Sequence, residues 1–128
     1  MNEPLWIERA DVDVIHDRQI AEHGGGAGLR DDGLLLSALE APRNHFAYVG
    51  GDLPALAGIY AHRIAKNHPF VDGNKRTAFL CAYAFLLANG LRIETTQDDV
   101  VKRTLALAAG EIDADAYADW LRETSVPR

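Results

Sequence analysis

The chain has 128 residues, 48% of them apolar, which is enough for one domain of ordinary size with a hydrophobic core. Its formal net charge of −6 excludes a protein that coats nucleic acid through a broadly basic face. The single cysteine, Cys81, excludes an internal disulfide, and neither a signal peptide nor an apolar run long enough to span a bilayer is visible. We therefore expect one domain over residues 1–128 in the cytoplasm, with no membrane contact, no direct nucleic-acid contact and Cys81 as a small buried side chain.

The first part of the chain predicts two helices joined by glycines. Residues 10–23 have partly helical spacing of apolar side chains and predict a first helix. The glycine run at 24–28 predicts a flexible connector, because it lacks G-x-G-x-x-G spacing, a following lysine and a strong preceding strand. A second helix is expected over 33–41, and Pro42 is expected to stop it.

The remaining elements are also mostly helical. The stretch 43–51 mixes aromatic and polar residues, and it predicts a loop with a short extended piece. Residues 4–7 lean towards β structure and predict an edge strand or simply an arm. Residues 91–95 alternate and favour a short strand, which could pair with an N-terminal strand over 4–7. Two further helices are predicted from 52 or 54 to 67 and from 77 to 88 or 89. A fifth helix follows the capping box at Thr96 and Asp99 and ends at 109, and a last helix runs from 113 to 122. We expect a mostly α fold, a bundle of about six helices with at most a short β-hairpin or edge strands.

One short loop before the apolar helix at 77–88 combines residue types that suit a phosphate. The unpaired N–H groups and the dipole at a helix start favour an anion, and Gly73 lets the backbone approach it closely. Arg76 can bind phosphate oxygens bidentately, while Lys75 adds a point charge. The alternative is an ordinary capping loop with surface charges, which leaves this coincidence of residue types unexplained.

Two further side chains in the loop suggest a reaction. Asp72 has the wrong sign for direct phosphate contact, but a carboxylate suits a Mg²⁺ ion that also binds phosphate oxygens. His68 can titrate near neutral pH and is therefore a candidate general base.

The stretch His68-Pro69-Phe70-Val71-Asp72-Gly73-Asn74-Lys75-Arg76 resembles the signature loop of the Fic/Doc superfamily, His-Pro-Phe-x-(Asp/Glu)-Gly-Asn-(Gly/Lys)-Arg. The lysine in the next-to-last position and the short chain resemble the Doc branch, the death-on-curing toxins of toxin–antitoxin modules. The resemblance implies His68 as the catalytic base, Asp72 as the Mg²⁺ ligand and ATP as the co-substrate. The residues expected to contact phosphate are Lys66, Gly73, Asn74, Lys75 and Arg76.

The reaction implied by the resemblance is attack of a target-protein hydroxyl on a phosphate of the nucleotide. Glycine at position 75 goes with AMP transfer, whereas lysine resembles Doc, in which the γ-phosphate faces the base. We therefore expect phosphoryl transfer to a threonine or serine of elongation factor Tu, which would block translation. The His-Pro-Phe and Asp-Gly-Asn spellings follow the general Fic pattern and keep AMP transfer as an alternative. A non-catalytic phosphate- or nucleotide-binding module is the second alternative.

Two partners of the loop are also implied. The chain contains no inhibitory (Ser/Thr)-x-x-x-Glu-(Gly/Asn) sequence, so we expect restraint by a small, partly disordered antitoxin that places an inhibitory helix on this domain. Fic-like proteins carry a flap that holds the target segment in extended form, and Phe46, Tyr48 and Val49 are the candidates for it. The alternative for these three is an ordinary surface loop. The remaining histidines lack metal-ligand spacing and are expected on the surface or satisfied in the core: His16, His23, His45 and His62.

Overall fold

The computed structural model describes residues 2–128, and in this part of the chain it contains six helices and two short strands. The helices are α1 (Arg9–His23), α2 (Asp32–Tyr48), α3 (Leu53–Asn67), α4 (Asn74–Ala88), α5 (Gln97–Ala108) and α6 (Ala114–Thr124). The strands β1 (Leu91–Ile93) and β2 (Ser125–Pro127) pair antiparallel. These elements confirm the predicted mostly helical fold. Among residues 2–128, no helix is long and apolar enough to cross a membrane.

Helix starts explain why the chain divides at these points. Four helices begin after an aspartate or threonine whose side chain accepts a hydrogen bond from the first turn: Asp31, Asp52, Thr96 and Asp113. In α1, the Asp11 carboxylate accepts a hydrogen bond from the Glu8 N–H (2.9 Å). Helix α4 differs, because it begins after Gly73, which has no side chain with which to cap the first turn.

The hydrophobic core is organised around α3 and α4. Helix α3 packs against α2, α4 and α6, and it buries eight of its fifteen residues. Helix α4 packs against α1 and α3 and buries seven of its fifteen residues. Cys81 of α4 is fully buried, and burial raises the pKa of its thiol to about 12, so it packs as an apolar side chain and is not a nucleophile. The loop between α3 and α4 therefore rests on the two most buried helices.

The predicted stop of α2 at Pro42 is wrong. The helix continues six residues further, to Tyr48, and Pro42 is itself buried in its interior. A proline there removes one backbone hydrogen bond. The apolar face formed by Leu35, Ala38 and Leu39 nevertheless continues through Pro42, and α2 packs along α3. Tertiary burial therefore outweighs the local helix-breaking tendency, and the predicted loop with an extended piece is helix up to Tyr48.

The predicted pairing of residues 91–95 with the N-terminal segment is also wrong. Strand β1 pairs with β2 at the C-terminus, not with the N-terminal segment. Side chains satisfy the N-terminal backbone instead. Asn89 accepts from the Leu5 N–H (2.8 Å) and donates to the Leu5 carbonyl (2.9 Å), while the Tyr60 hydroxyl accepts from the Ile7 N–H (3.1 Å). The N-terminal segment is thus an extended arm across the core, which was the other predicted possibility.

Candidate functional site

The loop between α3 and α4 is closed from inside by one amide. Asn74 is buried at the first position of α4, and its side chain meets the backbone of Phe70 twice. The Asn74 Oδ1 accepts from the Phe70 N–H (3.0 Å), and its Nδ2 donates to the Phe70 carbonyl (3.0 Å). Because both groups of the amide are used, the loop is fixed as a tight reversal between the two helices.

Helix α1 holds the loop from a second side. The His16 ring is buried, lies 3.8 Å from the Phe70 ring and is nearly parallel to it, at 9°. Its Nε2 lies 2.8 Å from the Asp72 carbonyl oxygen, so this nitrogen donates a hydrogen bond to the loop backbone. Gly73 has a φ of +75°, and a Cβ there would lie 3.3 Å from the Ile20 side chain. The turn before α4 therefore needs glycine, and α1 sets its position.

The glycine-rich segment before α2 lies strand-like beside the loop. Leu29 and Phe70 form an antiparallel bridge, flanked by hydrogen bonds from the Val71 N–H to the Gly28 carbonyl (3.1 Å) and from the Arg30 N–H to the Pro69 carbonyl (2.7 Å). The segment predicted as a connector does join α1 to α2, but its backbone also forms one wall of the loop.

Two glycines of this segment allow that close approach. A Cβ at Gly25 would lie 2.5 Å from the Asp72 Oδ2, and one at Gly26 would lie 2.8 Å from the Val71 side chain. Gly25 also has a φ of +112°, which other residues rarely adopt. Gly25 and Gly26 are thus explained by contact with the loop, and not by a nucleotide fingerprint.

His68 stands at the point where α3 ends. Among residues 2–128, His68 is the only residue other than glycine with a positive φ, which is +49°. The Arg30 side chain supports this backbone, because its Nε donates to the His68 carbonyl (2.6 Å) and its Nη2 donates to the Asn67 carbonyl (2.8 Å). The left-handed turn leaves the His68 side chain exposed, without a hydrogen bond to another residue in the described range.

The loop between α3 and α4 lines a cavity of about 880 Å³. The loop and the first turn of α4 form one side of it, and α5 forms much of the other through Val100, Thr104 and Leu105. The signature residues that line it are His68, Asp72, Gly73, Asn74, Lys75 and Arg76. A histidine, a carboxylate and two cations thus line one cavity that also has an apolar wall. This composition is typical of a small-ligand site.

The charges at the start of α4 are not neutralised. Lys75 and Arg76 are exposed, and neither forms an ion pair within the described part of the chain. The Gly73 N–H is not available, because it donates to the Asp72 Oδ1 (2.8 Å). The next N–H groups of the first turn have no side-chain cap and point along the positive end of the helix dipole. This arrangement can bind an anion.

The comparisons with known proteins agree with this geometry. The profile of the Fic/DOC family matches residues 6–86, which is more than half of the chain. The chain belongs to the Fic/DOC family. It is similar to a protein of Escherichia phage P1 named "Protein kinase doc", with 32% identity over 117 residues that cover 91% of this chain and 92% of that protein. It is also similar to "Toxin Doc" of Mycolicibacterium smegmatis, with 38% identity over 123 residues that cover 94% of this chain and 80% of that protein.

Most of the predicted Fic/DOC site residues come together in the cavity, but four do not. Lys66 lies in the last turn of α3 and lines a different cavity, between α2 and α3. Phe46 and Tyr48 belong to α2, and Val49 ends that helix, so none of the three lines the cavity of His68. The predicted loop with an extended piece is therefore wrong at these residues, because α2 continues to Tyr48, and their role as a flap stays a prediction. The extended segment beside the loop is the one that contains Leu29.

The site of this Fic/DOC protein offers one carboxylate to a metal. Residues 2–128 contain no group of three or more histidine, cysteine, aspartate or glutamate residues arranged to hold an ion. Of the carboxylates in residues 2–128, Asp72 alone lines the cavity. Its Oδ1 accepts from the Gly73 N–H, and its Oδ2 faces Gly25. Such a site fits Mg²⁺ only when phosphate oxygens supply the other ligands, which is the usual way in which Mg²⁺ binds with nucleotides.

Proposed function

We propose that this protein is the toxin of a toxin–antitoxin module and transfers the γ-phosphoryl group of ATP to a threonine or serine hydroxyl of a target protein. The observation that carries the proposal is that His68 lines the same cavity as the two free cations at the start of α4, Lys75 and Arg76. The names of the two relatives, a protein kinase and a toxin, support the same class of activity.

The arrangement suggests a simple division of labour. His68 accepts the proton of the target hydroxyl, whose oxygen forms a bond to the γ-phosphorus. The bond from that phosphorus to the β–γ bridging oxygen breaks, and ADP leaves. Lys75, Arg76 and the open amides of the first turn of α4 bind the phosphates and stabilise their charge. Mg²⁺, held by Asp72 together with the phosphates, would neutralise further charge on them.

Lys75 is the residue that favours phosphoryl over AMP transfer. Its side chain lies exposed at the second position of α4 and lines the cavity, where it occupies space that a glycine would leave open and adds a cation for the terminal phosphate. AMP transfer to a protein hydroxyl is the second candidate, because the sequence around His68 and Asp72 keeps the general Fic spelling.

We further propose two protein partners. The target is elongation factor Tu, whose modification would stop translation. The inhibitor is a small antitoxin, partly disordered when free, whose helix binds this domain and blocks the reaction. Both proposals rest on the similarity to Doc proteins.

Intact-mass spectrometry of elongation factor Tu, incubated with the protein, ATP and Mg²⁺, tests the reaction. We expect a gain of one phosphoryl group, and omission of Mg²⁺ should abolish it. A gain of one AMP would replace the proposal with its alternative. No gain on elongation factor Tu, but a phosphoryl gain on another protein of a cell lysate, would change the target and keep the reaction.

The variant His68→Ala separates a catalyst from a binding module. Because His68 is exposed and makes no side-chain hydrogen bond in the described range, its replacement should leave the fold intact. We expect transfer to fall by at least about a hundredfold while ATP still binds, measured by calorimetry. Unchanged cellular toxicity of His68→Ala would instead indicate a non-catalytic module.

A further inference from the structure

A second cavity of about 600 Å³ lies outside the site, along the surface between α2 and α3. Helix α2 contributes residues one turn apart, and α3 contributes a matching row. We call this cavity the basic groove and define it by Asn44, His45 and Tyr48 of α2 and His62, Arg63 and Lys66 of α3. The sequence pattern assigns these residues no common role.

The basic groove concentrates positive charge on an acidic protein. Arg63 and Lys66 are fixed cations, and among residues 2–128 no carboxylate lines the groove. Neither Arg63 nor Lys66 forms an ion pair or a side-chain hydrogen bond within residues 2–128. By contrast, five arginines are engaged by carboxylates: Arg9, Arg43, Arg92, Arg103 and Arg122. On a protein with a net charge of −6, these two neighbouring cations therefore make the groove a local patch of positive charge.

The surroundings of His62 include the same two cations, and they act on its pKa. Partial burial lowers the pKa of His62 first, and the nearby Lys66 and Arg63 lower it further, against the weaker opposite effect of Asp113. Lys66 and Arg63 would therefore stabilise an anionic group placed in the groove.

The shape of the basic groove selects among anionic ligands. Tyr48 is 87% exposed and Val49 is 75% exposed at its far end, so the groove is an open surface that combines apolar and cationic contacts. The residues that define it span only about 6 Å on each helix, at 1.5 Å per residue, which is short for a nucleic-acid track. An open groove of this length, with an aromatic side chain at the end, suits an acidic polypeptide segment that also carries an apolar residue.

The position of the groove indicates which polypeptide binds there. Helix α3 runs from Lys66 directly into His68, only two residues further, so the groove ends next to the exposed base. A protein that presents a hydroxyl to His68 must cover the surface around it. We propose that the basic groove docks an acidic segment of the target protein while a hydroxyl of the same protein reaches His68. This inference rests on the proposed function.

The test is a charge reversal that leaves the catalytic cavity untouched. In the double variant Arg63→Glu with Lys66→Glu, we expect the KM for elongation factor Tu to rise about tenfold, while kcat at saturating target and the Kd for ATP stay unchanged. Raising the salt concentration should increase the KM of the wild-type protein and have little effect on that of the variant.

The matched control is Arg18→Glu with Lys102→Glu. Both residues are exposed, form no ion pair in residues 2–128 and line neither cavity, so the change in net charge is the same. The KM should remain at the wild-type value. An equal rise of KM in both double variants would reduce the groove to a net-charge effect and overturn the proposal, as would an unchanged KM in the groove variant.

Three other outcomes are also decisive. If the groove variant lowers kcat at unchanged KM, the groove acts on the chemistry and does not dock the target. If it weakens antitoxin binding but leaves KM unchanged, the antitoxin is the occupant and our proposal is wrong. If the wild-type protein transfers nothing to elongation factor Tu or to any lysate protein, the proposed function fails, and docking for it fails as well. Should the reversal unfold the protein, Arg63→Gln with Lys66→Gln gives the same test with a smaller expected rise.

Discussion

The loop that carries His68 and the basic groove meet at the end of α3, yet they are built in opposite ways. The loop is fixed by buried polar contacts, in which Asn74 and His16 bind backbone groups of the loop itself. The groove consists of exposed and half-buried side chains on two helices, and Arg63 and Lys66 form no ion pair in the described chain. Residues that support the loop should therefore control atomic positions and kcat, whereas residues of the groove should control attraction and KM.

The largest expected effect on stability comes from the amide inside the loop. Asn74→Ala removes both hydrogen bonds to Phe70 and leaves its buried N–H and carbonyl without partners. We expect the free energy of unfolding to fall by about 3 kcal/mol, measured by urea denaturation. Asn44→Ala is the matched control, because Asn44 is an exposed amide of the groove without a hydrogen bond within residues 2–128, and it should cost less than about 0.5 kcal/mol. Similar losses in the two variants would remove the contrast between loop and groove.

A smaller effect, on activity, is expected at His16. This residue does not line the cavity of His68, but its Nε2 donates to the Asp72 carbonyl, and its ring packs on Phe70. His16→Ala should lower kcat between about tenfold and a hundredfold through displacement of the loop, with little change in the KM for the target. His16→Gln, which keeps an N–H donor, should recover part of kcat.

The groove again supplies the control for this prediction. His62→Ala should leave kcat unchanged, because His62 lies on the α2–α3 surface and contacts no group of the loop. If His16→Ala changes only stability, and kcat per folded molecule stays at the wild-type value, then His16 supports the core and does not position the loop.

The sequence predicted the loop much better than its surroundings, for a physical reason. His68, Asp72, Lys75 and Arg76 are close in the chain, so their motif already places them together, and the structure brings all four into one cavity. The supporting contacts join residues far apart. His16 lies 56 positions before Asp72, and Arg30 lies 38 positions before His68. Nothing in the local pattern relates them.

The glycine run was the one available signal for these distant contacts. Several glycines in a row mark a close backbone approach as well as a flexible connector, and at Gly25 and Gly26 the former explains their presence. The error in the predicted end of α2 has a different cause. Pro42 was interpreted as a helix stop by local rules, whereas packing along α3 carries α2 on to Tyr48. Long-range packing, which no short window contains, decided both cases.

The smallest effect on stability is expected at an exposed ion pair that joins the turn between α2 and α3 to α6. Asp52 caps α3 by accepting the Ala55 N–H (3.0 Å), and Arg122 binds its two carboxylate oxygens at 2.8 Å each. The hydrogen bonds from Arg122, aided by the cap, hold the pKa of Asp52 below its usual value. Because the folded-state pKa is lowered, this carboxylate stabilises the fold fully above its unfolded pKa, and the contribution is lost as the pH falls through the folded pKa.

Arg122→Gln should therefore lower the free energy of unfolding by at most about 1 kcal/mol at pH 7, as is usual for an exposed pair. The difference from the wild-type protein should shrink once the pH falls below about 4, the ordinary pKa of an unfolded aspartate, and it should vanish below the lowered folded-state pKa of Asp52. Urea denaturation at the two pH values measures both. Since the pair touches neither the loop nor the free cations of the groove, kcat and KM should remain unchanged. A change in KM would mean that the groove depends on the exact placement of α2 against α3, and that its cations act through geometry as well as charge.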